Sequence, residues 1–160
     1  MKIILCSVMA VALTAIVPAE AGGEETTVQH ATGEFDVRTN PKELDGPTVD
    51  EGLGRFALDK SYHGALKATG RGQMLTAGSP ASGSAAYVAI ERVQGTLEGR
   101  SGSFVLVHRG TLTAAGQQLE VTIAPDSGTG ALEGISGSLE ITVEAGRHHY
   151  DLAYRLPAGR

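Results

Sequence analysis

The sequence predicts an all-β domain, eight antiparallel strands closed into an up-and-down barrel. Three observations predict it. The chain is rich in glycine, with 22 in 160 residues, and its apolar runs are short and glycine-bounded; frequent turns between short β-branched runs favour many strands over helices. Beyond the N-terminal apolar run, no stretch has the length and 3.6-residue period of a long helix. The third is a repeated corner. Gly95-Thr96-Leu97-Glu98-Gly99-Arg100-Ser101-Gly102-Ser103-Phe104 returns as Gly130-Ala131-Leu132-Glu133-Gly134-Ile135-Ser136-Gly137-Ser138-Leu139. Each copy turns the chain into a new apolar strand, glycines serving where φ must be positive and the leucine free to tuck under the turn.

The strands follow in order. Phe35 and Val37 alternate with Glu34, Asp36 and Arg38, a half-buried first strand. Asn40 to Gly52 holds Pro41, Gly46, Pro47 and four acidic residues, and reads as a long solvated loop with one helical turn after Pro41. Arg55 to Leu75 reads as two extended segments. Phe56, Leu58 and Tyr62 share one parity, and Leu66, Ala68 and Met74 another, with bends expected at Gly64, Gly70 and Gly72. Asp59, Lys60 and His63 read as a polar cluster at a solvated bend. After a turn over Gly78–Gly83 come a fourth strand, Ala86–Val93, and a fifth, Gly102–Leu112. A short loop over Ala114–Gln117 leads to the sixth, in which Leu119, Val121 and Ile123 alternate with Glu120 and Thr122. Pro125–Gly137 is a loop holding the second corner. Leu139, Ile141 and Val143 mark the seventh strand, and after a turn at Glu144–Arg147 the eighth runs from His148 to Leu156. Strands joined by hairpin-length loops are antiparallel neighbours. Closing them into a barrel removes exposed edges. A two-sheet sandwich is the alternative, and the glycine bends favour closure.

The totals narrow the function. One hundred and sixty residues form one domain, with a core that needs no metal or disulfide. A net charge of −5 with scattered basic residues argues against nucleic acid and anionic membrane. Lys2, the apolar run Ile3–Val17 and the Ala19-Glu20-Ala21 site read as a cleavable signal peptide over residues 1–21. A retained anchor is the alternative, for which the run is short. Cys6 lies within the run, so it is no lipoprotein cysteine, and cleavage removes the only cysteine. The expected organisation is therefore leader 1–21, flexible lead-in 22–29 and barrel 30–157, in a periplasmic or secreted protein with no membrane contact after cleavage.

In a barrel one parity lines the interior. On the fourth strand Tyr87, Ala89, Glu91 and Val93 share a face, and on the fifth Phe104, Leu106 and His108. On the eighth His148, Tyr150, Leu152, Tyr154 and Leu156 do. Glu91 and His108 are thus the candidate catalytic pair, a general acid and base among apolar groups. Tyr87, Phe104, Tyr150 and Tyr154 are the candidate ligand contacts. The competing reading pairs Glu91 with an arginine at a barrel mouth and His108 with a carbonyl. No metal site is expected: His148 and His149 are adjacent and point to opposite faces, and no His-x-His occurs. No Gly-x-Ser-x-Gly elbow or phosphate loop is present, and no cofactor is expected.

Several of these segments together resemble a known family. Tyr87-Val88-Ala89-Ile90-Glu91, Gly99-Arg100-Ser101-Gly102-Ser103-Phe104 with His108 and Gly110, and Pro125-Asp126-Ser127-Gly128-Thr129-Gly130 with Leu132 and Gly134 are similar to the bacterial family of unknown function DUF3224. Leu58-Asp59-Lys60 with His63-Gly64 and the closing His148-x-Tyr150 fit as well, so the resemblance spans His30 to Leu156. It implies an allene-oxide-cyclase-like barrel of eight strands. Relatives by fold include allene oxide cyclases and dirigent proteins, which steer reactive apolar intermediates inside the barrel. No catalytic motif of theirs maps onto this chain, and the leader departs from the many members that look cytoplasmic.

Three functions follow as expectations. The first is a secreted or periplasmic barrel binding a small apolar molecule. The second is a structural or interaction barrel without a ligand. The third is a cofactor-free cyclase or isomerase using Glu91 and His108; the residues do not decide whether the protein is an enzyme. An apolar outer parity would need a partner surface, and a homo-oligomer is the expected partner.

Overall fold

The computed structural model describes residues 27–44, 52–79, 81 and 83–157. The expected leader, most of the lead-in and the tip of the acidic loop lie outside the described residues. The strands are β1 (Gln29–Lys42), β2 (Leu53–Gly64), β3 (Leu66–Ser79), β4 (Ser84–Leu97), β5 (Arg100–Thr113), β6 (Gly116–Ile123), β7 (Thr129–Gly130), β8 (Ser136–Glu144) and β9 (Arg147–Arg155). Every pairing is antiparallel, in the order β4-β3-β2-β1-β9-β8-β6-β5, and β4 pairs with β5 to close the ring. The result is a closed barrel of eight strands, with the two-residue β7 laid beside β5 at Gly102 and Ser103.

Most strands run longer than the apolar alternation predicts. Asn40, Pro41 and Lys42 belong to β1 and pair with Ala57, Phe56 and Arg55, so among the described residues the chain around Pro41 is extended rather than helical. The backbone ladder continues past the last buried side chain, because pairing with β2 satisfies it even where both faces are wet. Gly70 and Gly72 are not bends either: β3 pairs without interruption from Leu66 to Ser79 against β4. Their lack of a side chain is what matters, as described below.

The interior parity is now fixed. Ala31 and Phe35 on β1, Leu58 and Tyr62 on β2, Val93 and Leu97 on β4, Phe104 and Leu106 on β5, Val121 and Ile123 on β6, and Leu152 and Tyr154 on β9 all point inward and are buried. The two ends of the barrel differ. At the end carrying the β2–β3 and β4–β5 turns, Leu66, Leu97, Leu132, Ile135, Leu152 and Tyr154 are at most 2% exposed. Leu97 and Leu132 are the leucines of the two repeated corners, and both plug this end. At the opposite end, the inward positions Phe56, Met74, Tyr87, Leu112, Leu119 and Ile141 are only half-buried. One end is sealed and the other is an apolar cup.

Candidate functional site

Beneath the cup, β2, β4 and β5 bring four polar side chains to one point. The alternation that turns Leu58 and Tyr62 inward also turns Lys60 inward, leaving it 6% exposed. On β4 the same rule buries Glu91 completely, and on β5 it leaves His108 3% exposed. Lys60 is opposite Gly70, and Glu91 is opposite Gly72. These two glycines of β3 lie between the strands that must meet. A Cβ at Gly70 would fall 1.9 Å from Glu91 Oε1, and one at Gly72 would strike the Ile90 carbonyl at 2.2 Å. Bare backbone at Gly70 thus opens the lane in which Lys60 and Tyr62 reach Glu91 across a whole strand, while at Gly72 it makes room for the backbone of β4.

Three donors hold the Glu91 carboxylate. Lys60 Nζ donates to Glu91 Oε2 at 2.8 Å, and the Tyr62 hydroxyl donates to Oε1 at 2.8 Å. His108 Nε2 lies 3.0 Å from Oε2, and Lys60 Nζ lies 3.3 Å from the Tyr62 oxygen. The Lys60 ammonium also sits over the Phe35 ring, 4.7 Å from its centroid, a cation–π contact. Among the described residues no buried side-chain nitrogen or oxygen is without a partner.

Charge follows from this geometry. Burial pushes the Glu91 carboxyl up, but the His108 hydrogen bond, the charge and hydrogen bond of Lys60 and the charge of His108 outweigh it and hold the group below its ordinary value. Glu91 is therefore a carboxylate, and an acceptor from all three neighbours. Burial, and then the charge of Glu91, push the Tyr62 phenol far up, so it stays protonated and donates. A buried ion pair of this kind adds little to stability over an apolar core, because desolvation offsets the attraction. That no buried polar atom among the described residues lacks a partner is what makes it tolerable.

The structure thus sets Glu91 and His108 side by side, with a lysine rather than an arginine as countercharge. Lys60 and Tyr62 were not legible as site residues. Asp59, Lys60 and His63 do not form one cluster, since Lys60 is inside while Asp59 and His63 face out. The available signal was that Lys60 falls on the Phe56-Leu58-Tyr62 parity. Of the four candidate ligand contacts, Tyr87 is half-buried in the cup, its ring against Gly110, where a Cβ would meet it at 2.1 Å. Phe104 is fully buried in the core. The Tyr150 hydroxyl donates to the His63 carbonyl at 3.0 Å and accepts from the Leu66 amide at 2.9 Å. The Tyr154 hydroxyl is 2.5 Å from Glu98 Oε2 and 3.0 Å from Gln29 Oε1, tying the sealed end together. His148 stacks near Phe35, 5.0 Å between ring centroids, and His149 faces Glu34 outside. Among the described residues no three His, Cys, Asp or Glu side chains are placed to hold a metal ion. A groove of about 660 Å³ beside β1, β2 and the β8–β9 turn is lined by Glu34, Asp36, Arg38, His63 and Arg147 among others. Its His63–Asp36 pair, 3.2 Å apart, is exposed and screened by water.

Comparison with known proteins completes the description. The family model described as "Protein of unknown function (DUF3224)" matches residues 31–154. The fold is similar to a crystal structure of a protein of unknown function from the DUF3224 family of Shewanella oneidensis MR-1. The TM-score is 0.75 and the sequence identity 43%, covering 82% of this chain and 100% of that one. Comparison with curated proteins finds no match. A family match over most of the chain and a fold shared at 43% identity lead to one conclusion: the chain belongs to the DUF3224 family of proteins of unknown function.

Proposed function

We propose that this chain is a secreted or periplasmic barrel of allene-oxide-cyclase-like type that takes a small, mainly apolar molecule into its open end. The observation that carries the reading is the asymmetry between the two ends. The same inward parity is sealed at one end and leaves Phe56, Met74, Tyr87, Leu112 and Leu119 half-exposed at the other. Apolar surface gathered in a concavity above a few polar groups is the usual composition of a ligand site. The reading as a cyclase or isomerase with Glu91 as a free base is less favoured, because three donors already hold that carboxylate. Export rests on the leader pattern at residues 1–21.

The test is a fluorescence titration of the purified protein with 1-anilinonaphthalene-8-sulfonate. Saturable binding is expected, weakened by Leu119→Glu without loss of the native circular dichroism. Binding that ignores this substitution, or no binding at all, would leave the barrel as an interaction module. Export is tested by N-terminal sequencing of protein from the periplasmic fraction. A first residue of Gly22 is expected, and an unprocessed chain held in the membrane fraction sinks this part. Self-association is proposed through the outer face of β3–β5. There Leu75 pairs with Val88 and Ile90 with Val107, all four exposed. Sedimentation should show Ile90→Glu as a smaller species than the wild type; equal sizes would end this proposal.

A further inference from the structure

β9 stops short of the strand beside it. Its ladder with β1 ends at Phe35 opposite His148, while β1 runs on through Asp36–Lys42 against β2. Among the described residues no backbone group pairs with the other side of that stretch. The groove of about 660 Å³ lies there, lined by Phe35, Asp36, Val37 and Arg38 and by Gly146, Arg147 and His148 among others. Consecutive strand residues point to opposite faces, so a groove that touches such a run follows the edge of the strand. The barrel wall is notched where β9 stops, and the edge of β1 is bare there.

The bare edge carries a definite pattern. The Thr32 carbonyl accepts from the Ala65 amide at 3.1 Å, so the even-numbered residues of β1 turn their backbone groups toward β2. By alternation Val37, Thr39 and Pro41 turn theirs into the notch. Pro41 has no N–H to leave unpaired, and an edge is where a strand tolerates proline. On the outer face of the same stretch stand Asp36, Arg38, Asn40 and Lys42, all exposed. An acid lies at one end and a base at the other.

We propose that a second copy of this chain fills the notch with the same stretch, antiparallel, about a two-fold axis through Thr39. This goes beyond the open-end reading and does not depend on it. A two-fold axis normal to the sheet sets outward side chains opposite outward ones. Centred on Thr39, the pairing places Asp36 opposite the partner's Lys42 and Arg38 opposite the partner's Asn40, each twice by symmetry. Thr39 and the partner's Thr39 exchange amide-to-carbonyl bonds, and the Val37 amide donates to the partner's Pro41 carbonyl. Other registers lose this match. Centring on Arg38 sets that residue against itself, and centring on Asn40 sets Arg38 against the partner's Lys42; like charges directly opposite are destabilising. Centring on Val37 seats only Asp36–Arg38 before the incoming strand meets His148. The Thr39 register uses all of Asp36–Lys42, and β1 ends at Lys42, so the incoming chain leaves the sheet where His148 begins. The contact is isologous and consumes both bare edges, so it closes at two copies.

The notch lies on β1, apart from the β3–β5 face, so the test is made in Ile90→Glu, where that face is disabled. Sedimentation equilibrium of this purified variant at low ionic strength is expected to show a monomer–dimer equilibrium. Adding Asp36→Lys or Lys42→Asp should weaken the dimer about tenfold, because each reverses two cross-strand contacts at once. Adding both should restore it. A second measurement needs no substitution: hydrogen exchange at the Thr39 amide of the wild type should slow as the protein concentration rises. A monomer at every concentration, with an unchanging Thr39 amide, overturns the proposal. So does a dimer that ignores both charge reversals. Two single losses without rescue in the double variant overturn the Thr39 register, and the proposal with it. None of these outcomes bears on the comparison of Ile90→Glu with wild type, which tests the β3–β5 face alone.

Discussion

Replacing Glu91 by Gln keeps the shape of the side chain and removes the charge that Lys60 meets. The ammonium would then be buried without an anion, so Glu91→Gln should lower the stability by about 3–5 kcal/mol. Urea denaturation measures this, and an unchanged or raised midpoint would mean that Lys60 finds another partner. The pH dependence has a definite sign. The folded Glu91 carboxyl lies below its ordinary value of 4.5, so the unfolded chain takes up the proton first. Its contribution is full above 4.5 and is lost as the pH falls through the lower folded value. The tyrosines act at the other extreme. All four, Tyr62, Tyr87, Tyr150 and Tyr154, are pushed up from 10.0, first by burial, with Tyr154 reaching about 12. Raised phenols stabilise the fold below 10 and lose that contribution as the pH rises further. Tyrosinate absorbance should therefore stay low through pH 10 and rise together with unfolding. A phenol that ionises near 10 with the circular dichroism intact would contradict this. At this scale the sequence revealed Glu91 and His108, because each is an ionisable residue on an apolar face. Lys60 stayed hidden because a lysine on that parity looks the same whether it faces water or a carboxylate two strands away. What distinguishes the cases is Gly70, whose role appears only once β2, β3 and β4 lie side by side.

The two repeated corners show one residue pattern serving two elements. In the first, Glu98 and Gly99 both have positive φ, 48° and 83°, and join Leu97 directly to Arg100 as a two-residue hairpin turn. In the second, amides of Leu132, Glu133 and Ile135 bond back to the carbonyls of Thr129, Gly130 and Leu132, and the turn lies inside a longer connection from β7 to β8. What the copies share is the leucine, 0% exposed at position 97 and 1% at 132. Leu132→Ala should cost about 2–5 kcal/mol through the cavity it leaves at the sealed end. Thermal denaturation tests it, and a loss below about 1 kcal/mol would mean that the connection collapses into the gap. Strand existence and facing were legible here, because alternation at Leu119–Ile123 or Leu139–Val143 has one physical meaning. Strand ends were not. Asn40–Lys42 extend the ladder through backbone bonds alone, and β7 is held by two pairs that carry no apolar signature.

At the scale of the molecule, nearly every strand pairs with its neighbour in sequence. The ring closes through one distant seam, where Gln29 to Phe35 of β1 meet Tyr154 to His148 of β9. This architecture was legible as a whole because short turns dictate antiparallel neighbours. The difference between the ends was not, since it depends on where Leu132 and Ile135 fold back over the barrel.

Gln29 opposite Tyr154 puts the first and last strands of the wall in contact. The ring therefore has no topological first strand, and the position of the break in the backbone is arbitrary. A short linker from Pro157 to Thr27, with the chain opened between Ala114 and Ala115, would give a circular permutant with the same eight staves. The β1–β9 seam would become a local hairpin, and the β5–β6 pair would become the long-range closure. The order in which the barrel assembles would change, while the cluster under the cup, built from β2, β4 and β5, would keep every partner.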